Sequence, residues 1–413
     1  MDKIKNILII NQPCNNRGDE AAHRSLIRAL SKLFPDTEIT ILFAGANKES
    51  VQEMIVNNKN IKYHIINLHR GFTRLVRFLM SIKCEWILYY FHPNVREYKK
   101  YVASSDYVIN APGGICMGQF QNWQHILWLN IALNLKKNIA YYGRSFGPFP
   151  DKTIYNKVFR NKSLKLLRSF DFITIRDKKT MEIADKYEIP YTETIDTAFL
   201  DVPNSTIPES INKLINSKEY IVFVPNSLTW HPGYMKINQK LIDSFYIAIF
   251  KILNDKFPNS KIVLLPQLFN CNNSDERYFE HLKNELKSSH DNIVLIPEIY
   301  SSDIQQAIIK ESKLVVGARY HSIVFAINNN VPFIALSYEH KIEGLLDILH
   351  LDNWLIDITE MKNSQYNESK IISNFQFILD KISIQTTEFG KETAYKIAHN
   401  CLKELQVILK NER

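Results

Sequence analysis

The sequence predicts an α/β protein made of two Rossmann-like, doubly wound domains facing across a cleft. Three observations carry that expectation. Short apolar runs alternate with helical patterns along the whole chain, the mark of a parallel sheet flanked by helices. The length, 413 residues, exceeds what one hydrophobic core ordinarily serves. A segment with two prolines and several small polar residues, DVPNSTIPES at Asp201–Ser210, interrupts the alternation near its middle.

Taken in order, the apolar runs of the first half predict strands at Ile4–Ile10, Glu38–Phe43, Ile61–Ile66, Asp106–Asn110, Asn138–Tyr142 and Phe172–Arg176, with Thr192–Asp196 closing the series. The second half offers Tyr220–Val224, Lys261–Pro266, Ile293–Ile296, Leu314–Gly317 and Phe333–Leu336. Each run is too short for a buried helix and is bounded by turn-forming residues. The expected domains are therefore 1–200, a linker at 201–210, and 211–375. A tail at 376–413, with a helical pattern over Glu388–Asn411 and no strand after it, is expected to pack back on the first domain.

Bulk properties narrow the class. A hydrophobic content of 45% with 23% charged residues is ordinary for a globular chain, and there is no low-complexity tract. The net charge of +8 suits anionic substrates or an acidic membrane surface. No helix-turn-helix, zinc-finger or RNA-recognition signature speaks for nucleic acid. Cys14, Cys84, Cys116, Cys271 and Cys401 are scattered and never form C-x-x-C. That argues for reduced thiols and against a disulfide framework or structural zinc. The start, MDKIKNILII, reads as a strand rather than a signal peptide, and no run approaches the roughly 20 apolar residues of a membrane span. A soluble cytoplasmic protein is expected.

The most informative stretch is Lys313–Tyr338, KLVVGARYHSIVFAINNNVPFIALSY. It reads as a buried strand, a sharp turn carrying Arg319 and His321, a short helix and a second buried strand. Residues just past the carboxyl end of a parallel strand line the ligand crevice, and a helix starting there offers free N–H groups to an anion. Arg319 supplies a planar cation for carboxylate or phosphate. His321 supplies a group able to give and take a proton. The bland alternative is a helix cap or a surface ion pair.

Other strand ends carry further candidates. Asn16, Arg17 and Asp19, in NNRGDEA after the first strand, can hydrogen-bond sugar hydroxyls; Asp19 can equally be a helix cap. Gly113 and Gly114 allow positive φ and close approach of a ligand to the backbone, or simply make a tight turn. Arg144, in AYYGRSFGPF, suits an anion or sugar contact, or a salt bridge. Arg176 ends a strand and offers a second cation, with Asp177 or Asp196 as its dull partner. In the second half Asn226, Trp230, His231, Gln267 and Asn270 suit hydrogen bonding and stacking on a carbohydrate, and Lys341 follows the last expected strand. A dinucleotide fingerprint, a P-loop and a G-x-S-x-G elbow are missing. So are H-E-x-x-H, EF-hand and cysteine–histidine metal patterns, which predicts no metal. Arg70, Arg74 and Arg77 fall at helical spacing beside Phe72, Phe78, Leu79, Trp86 and Tyr90. Such a helix can lie on an anionic membrane surface, or it can be a domain helix with a snorkelling charged edge.

Read together, NNRGDEA, the APGG turn, GRSFGPF, ITIRDKKTMEIA, IDTAFL, LLPQ and GARYHSIVFAINNNVPFIALSYEHK resemble the polysaccharide pyruvyl transferase family in order and approximate spacing, from about residue 4 to residue 350. Two positions depart from it: Tyr320 stands where the family often has Leu, and Arg144 where it commonly has Gln. The resemblance implies a GT-B-like fold and transfer of pyruvate from phosphoenolpyruvate to two hydroxyls of a sugar, as a cyclic ketal in a surface polysaccharide or its lipid-linked precursor. By position it implies Arg176, Arg319 and His321 as the phosphoenolpyruvate-binding and acid/base residues. The residues themselves add His321 as the catalytic acid, Tyr320 and Lys341 on the phosphoenolpyruvate side, and Asn16, Arg17, Asp19, Gly113, Gly114 and Arg144 on the acceptor side. No cofactor beyond the co-substrate phosphoenolpyruvate is expected, and the expected place of action is the cytoplasm, at the inner face of the membrane if the acceptor is lipid-linked. A nucleotide-sugar glycosyltransferase on the same fold is the main alternative, and a catalytically silent carbohydrate-binding subunit the third.

Overall fold

Two wholly parallel sheets account for the strands of the computed structural model, which describes residues 4–216, 219–231, 233–269, 274–286, 292–362, 366–382 and 390–411. In the first sheet the strands are β1 (Asn6–Ile10), β2 (Glu38–Ala44), β3 (Ile61–Ile66), β4 (Tyr107–Asn110), β5 (Ile139–Tyr141), β6 (Phe172–Ile175) and β7 (Thr192–Glu193). Their order across the sheet is β3-β2-β1-β4-β5-β6-β7. The second sheet has β8 (Tyr220–Val224), β9 (Lys261–Leu264), β10 (Ile293–Leu295), β11 (Leu314–Gly317), β12 (Phe333–Ser337) and β13 (Leu355–Asp357), in the order β10-β9-β8-β11-β12-β13. Both are Rossmann-like, doubly wound α/β sheets, as the alternating pattern predicts. The short strand β13 was not anticipated, because LID follows a turn with Trp354 and offers no apolar run of its own.

The strands read as near-continuous apolar runs because helices cover both faces of a parallel sheet. NILII, YVIN, YIVFV, LVVG and FIALS are almost wholly buried. In the first sheet, one face of the core closes with aromatics: Trp128 stacks on Tyr98 with ring centroids 4.2 Å apart, and on Phe72 at 5.8 Å. Such offset pairs add to the burial of three large rings.

The chain divides into two units. One comprises Met1–Cys14, Ala22–Asp201 and Tyr395–Arg413; the other comprises Asn15–Ala21 and Val202–Ala394. The final helix, Lys391–Asn411, thus lies mostly within the first unit, where Leu402, Leu405 and Leu409 are buried. Of the 376–413 tail, residues 383–389 fall outside the described set. Among the described residues no helix is long and apolar enough to cross a membrane.

Strand order reverses once in each sheet, between β1 and β4 and between β8 and β11. Loops that leave the carboxyl ends of the two strands at such a point diverge and leave a crevice, where α/β proteins hold their ligands.

Candidate active site

In the second unit, the loops after β8 and β11 hold the candidate groups Trp230, Arg319 and His321. Gly317, the last residue of β11, pairs with Val224 at the end of β8 and Ala335 in β12. A Cβ on Gly317 would sit 2.0 Å from Ser322 Oγ, so only glycine lets the helix Tyr320–Asn328 start this close to the strand. Ser322 Oγ donates to the Arg319 carbonyl at 2.6 Å and fixes the turn. Arg319 is the residue before this helix, in extended conformation, and no side chain caps the first turn. The first amides therefore offer the partial positive charge that favours an anion.

Arg319 is 7% exposed and is held on two sides. Asp275 pairs with its Nη2, and the same carboxylate accepts from the Gln267 and Leu268 amides, both at 3.0 Å. Trp230 lies 5.6 Å from the guanidinium carbon, and Asn226, at the β8 end, accepts from the Trp230 indole at 2.9 Å. Burial alone would lower the guanidinium pKa, but Asp275 outweighs it and raises the value further. Arg319 is thus a fixed, permanent cation at the reversal point, with its orientation set by an acid and an indole. Of the other carbohydrate-contact candidates here, Gln267 is buried beside this loop, and Asn270 lies outside the described residues.

His321 follows in the first helical turn, 8% exposed. Gly18 packs directly on it: a Cβ there would meet His321 Nδ1 at 1.8 Å and Cγ at 2.0 Å. This contact corrects the placement of the NNRGDEA segment, which the sequence reading gave to the acceptor side of the first domain. Asn15–Ala21 belongs instead to the second unit. Asn16 accepts from the Gly18 amide at 2.7 Å, the usual helix-capping role of Asn. Arg17 is almost fully buried; it pairs with Glu20 at 2.7 Å, donates to the Glu298 carbonyl at 2.7 Å, and lies 3.9 Å over Phe269. Glu20 also accepts from the amide and hydroxyl of Ser302, each at 3.0 Å. Arg17 and Glu20 are therefore a buried brace rather than sugar contacts, and Asp19 sits half-buried in the first helical turn.

A second layer of charge follows β12. Glu339 bridges Lys341 at 3.2 Å and approaches His231 Nε2 at 3.8 Å. Burial works against the Glu339 carboxylate, yet Lys341 and the neighbouring histidines hold its pKa below the usual value. Burial lowers the His231 pKa, with Glu339 opposing and Lys362 and Lys341 assisting. Tyr320 is half-buried beside His321, ring centroids 4.9 Å apart.

In the first unit, the reversal point is tied together by Arg144. Its Nε donates to the Gly114 carbonyl at 2.9 Å, and its Nη1 to the carbonyls of Asn11 at 2.9 Å and Ala111 at 3.2 Å. The expected anion contact thus has a structural task first: it satisfies main-chain acceptors at the ends of β1 and β4. Gly113, at φ 151°, passes close to this side chain. Arg176 forms a buried ion pair with Asp196 and donates to the Gly113 carbonyl at 3.1 Å. Beside them lies a cavity of about 220 Å³ lined by Asn11, Gln12, Gln124, His125, Trp128 and Arg144 among others. His125 Nε2 is buried with no hydrogen-bond partner among the described residues. Burial, and then the Arg144 charge, push the His125 pKa well below its usual value, so this imidazole is neutral.

Four functional neighbours escaped the sequence reading: Asp275, Gly18, Gln124 and His125. Gly18 stands in the NNRGDEA segment and Asp275 shortly after LLPQ, but only the fold brings them against His321 and Arg319. Gln124 and His125 lie on a helix whose apolar composition reads as core. Among the described residues no group of three or more His, Cys, Asp or Glu is arranged to hold a metal.

Comparison with known proteins speaks to the fold and the family. The chain is similar over its length to the UDP-GlcNAc 2-epimerases of Methanocaldococcus jannaschii (15% identity, TM-score 0.56, 97% of this chain and 99% of that one) and Neisseria meningitidis (13%, 0.58, 97% and 100%). It is also similar to the trehalose-6-phosphate synthase OtsA (10%, 0.54, 98% and 99%). At such identities the likeness speaks for the fold alone, which is GT-B-like. A curated relative, the amylovoran biosynthesis protein AmsJ of Erwinia amylovora, is 22% identical over 97% of this chain and 100% of its own length. Residues 16–340 match the sequence model of polysaccharide pyruvyl transferase, and the chain belongs to that family, a transferase of pyruvyl groups in polysaccharide synthesis.

Proposed function

We propose that the protein transfers pyruvate from phosphoenolpyruvate to two hydroxyls of one sugar residue, forming a cyclic ketal and releasing phosphate. The observation that carries this reading is the pairing of a clamped cation, Arg319, with His321 at the β8/β11 reversal point, next to an uncapped helix start. Phosphoenolpyruvate is a small dianion or trianion with no apolar body. It calls for a planar cation and main-chain amides rather than a stacking pocket.

The chemistry balances with these groups. One sugar hydroxyl adds to C2 of the enol while a proton goes to the C3 methylene, making a methyl group. The second hydroxyl then displaces phosphate from C2, and its proton leaves with the phosphate. His321 gives the first proton to C3 and is restored by the proton that the first hydroxyl sheds, a step to which a placed imidazole contributes roughly 10²–10⁴-fold. Arg319 and the first amides of Tyr320–Asn328 hold the carboxylate or phosphate. Arg176, whose charge is shared with Asp196, serves the negative charge of the donor in a supporting role. Tyr320 and Lys341 flank the donor.

The acceptor sugar is assigned to the cavity of the first unit, where the neutral His125 offers a hydroxyl partner and Trp128 an apolar wall. The acceptor is a polysaccharide unit or its lipid-linked precursor. Phosphate release from phosphoenolpyruvate in the presence of candidate acceptors tests the reading. His321→Ala should lose at least a hundredfold in turnover, and Arg319→Lys should raise the half-saturating phosphoenolpyruvate concentration. A His321→Ala variant with wild-type turnover refutes the acid assignment; turnover of UDP-sugars instead of phosphoenolpyruvate refutes the donor.

A further inference from the structure

We infer that the first unit carries a docking surface for an anionic lipid bilayer, formed by the helices Phe72–Ser81 and Trp86–Phe91 and the start of the helix Ile154–Leu167. The first of these helices is apolar on two sides. Phe72, Val76, Leu79 and Met80 face the core. Leu75, Phe78 and Ile82 continue outward at helical spacing, with Phe78 57% exposed. The stripe extends through Trp86, Tyr90 and Phe91, at 51%, 66% and 70% exposure, and through Ile154 at 81%. Arg77 lies 5.3 Å over the Tyr155 ring and joins the two parts. Single exposed apolar residues are ordinary, but so many on two consecutive helices and the start of a third, which Arg77 and Tyr155 tie to the first, mark an interaction site.

Charge selects the occupant. Arg70, Arg74, Arg77 and Lys83 are all exposed around the stripe, and no Asp or Glu occurs between Glu53 and Glu85. Glu85 pairs with Lys162, and Asp151 lies 3.7 Å from Arg160. A second copy of this chain would set the patch against itself, since a two-fold contact is self-complementary, and would bring arginines onto arginines. An anionic bilayer supplies the missing negative charge together with an apolar layer for the aromatic side chains. This inference does not depend on the pyruvyl-transfer reading.

The test is flotation of the full chain with phosphatidylcholine vesicles and with vesicles containing phosphatidylglycerol. Association with the anionic vesicles alone, weakened by salt, is expected. Arg74→Ala with Arg77→Ala should reduce partitioning by roughly fivefold per arginine. The triple variant Phe78→Ser, Ile82→Ser, Trp86→Ser should abolish it with an unchanged melting temperature, because all three side chains are exposed. A blue shift of tryptophan emission on binding that disappears in Trp86→Phe would place this helix at the bilayer. The inference is overturned if the wild-type chain stays with the soluble fraction, or if the triple variant floats as the wild type does. It is also overturned if the triple variant merely converts a dimer to a monomer.

Discussion

Replacing Gly18 by alanine should silence the site while leaving the fold standing. The added methyl would lie 1.8 Å from His321 Nδ1, 2.0 Å from Cγ and 2.4 Å from Cε1, whereas nonbonded carbon atoms rest about 3.5–4.0 Å apart. The overlap involves the ring itself and not a flexible tip, so the imidazole has to swing away by about 1.5–2 Å, judged against that contact distance. Stability should hardly change. Gly18 is the second residue of the helix Arg17–Leu33, where alanine is favoured over glycine by up to about 1 kcal/mol. Moving His321 to a poorer rotamer costs about 0.5–1.5 kcal/mol, so the two nearly cancel. Activity has no such compensation. A misplacement of about 1 Å can cost on the order of 10²-fold, and full loss of the acid up to about 10⁴-fold. The assay is phosphate release from phosphoenolpyruvate alongside a melting curve. The decisive comparison is the double variant Gly18→Ala, His321→Ala, which should be no slower than His321→Ala alone. Wild-type turnover in Gly18→Ala, or losses in the double variant that multiply, would refute the argument that Gly18 acts through His321.

Two other outcomes are expected. Arg176→Ala should unfold the first unit at lower denaturant, because it strands the fully buried Asp196; breaking such a pair costs about 3–5 kcal/mol. Arg176→Met with Asp196→Leu should recover most of that stability in urea titrations yet remain impaired in phosphate release, and recovery of both would remove Arg176 from the donor side. Acid should weaken the first unit through His23, whose pKa is held down at about 3, against an ordinary 6.5, by burial and then by Arg24. The folded chain refuses a proton that the unfolded chain takes up below about pH 6.5, so this stability is complete above that pH and is lost as pH falls towards 3. The slope approaches about 1.4 kcal/mol per pH unit. Urea midpoints between pH 8 and pH 5 should fall steeply for the wild type and less for His23→Gln; equal slopes would acquit His23.

The parallel sheets were legible because each strand is buried on both faces and so forms an unbroken apolar run, as in YIVFV and FIALS. Arg319 and His321 were legible because they stand at a strand end followed at once by a helix. What the sequence hid is pairing over distance. Asp275, 44 positions before Arg319, looks like any acidic residue at a helix start. Gly18 looks like a turn residue until the fold sets it against a ring 303 positions away. The internal partners of Arg17 and Arg144 were hidden for a related reason. Composition reveals a cation, but not whether main-chain carbonyls and a buried carboxylate already occupy it.

The division of the chain has a consequence for synthesis. The first unit takes in Met1–Cys14 as well as Tyr395–Arg413, and Ala398, Cys401 and Leu405 of the latter segment are buried in it. On the ribosome this unit waits until Tyr395–Arg413 has emerged, although domains generally mature in order of emergence. The second unit, by contrast, has every residue it needs once Ala394 has emerged, with Asn15–Ala21 long since made. The half that starts first is the half that finishes last, so a nascent chain stalled before residue 395 would present a completed second unit tethered to an unfinished first one.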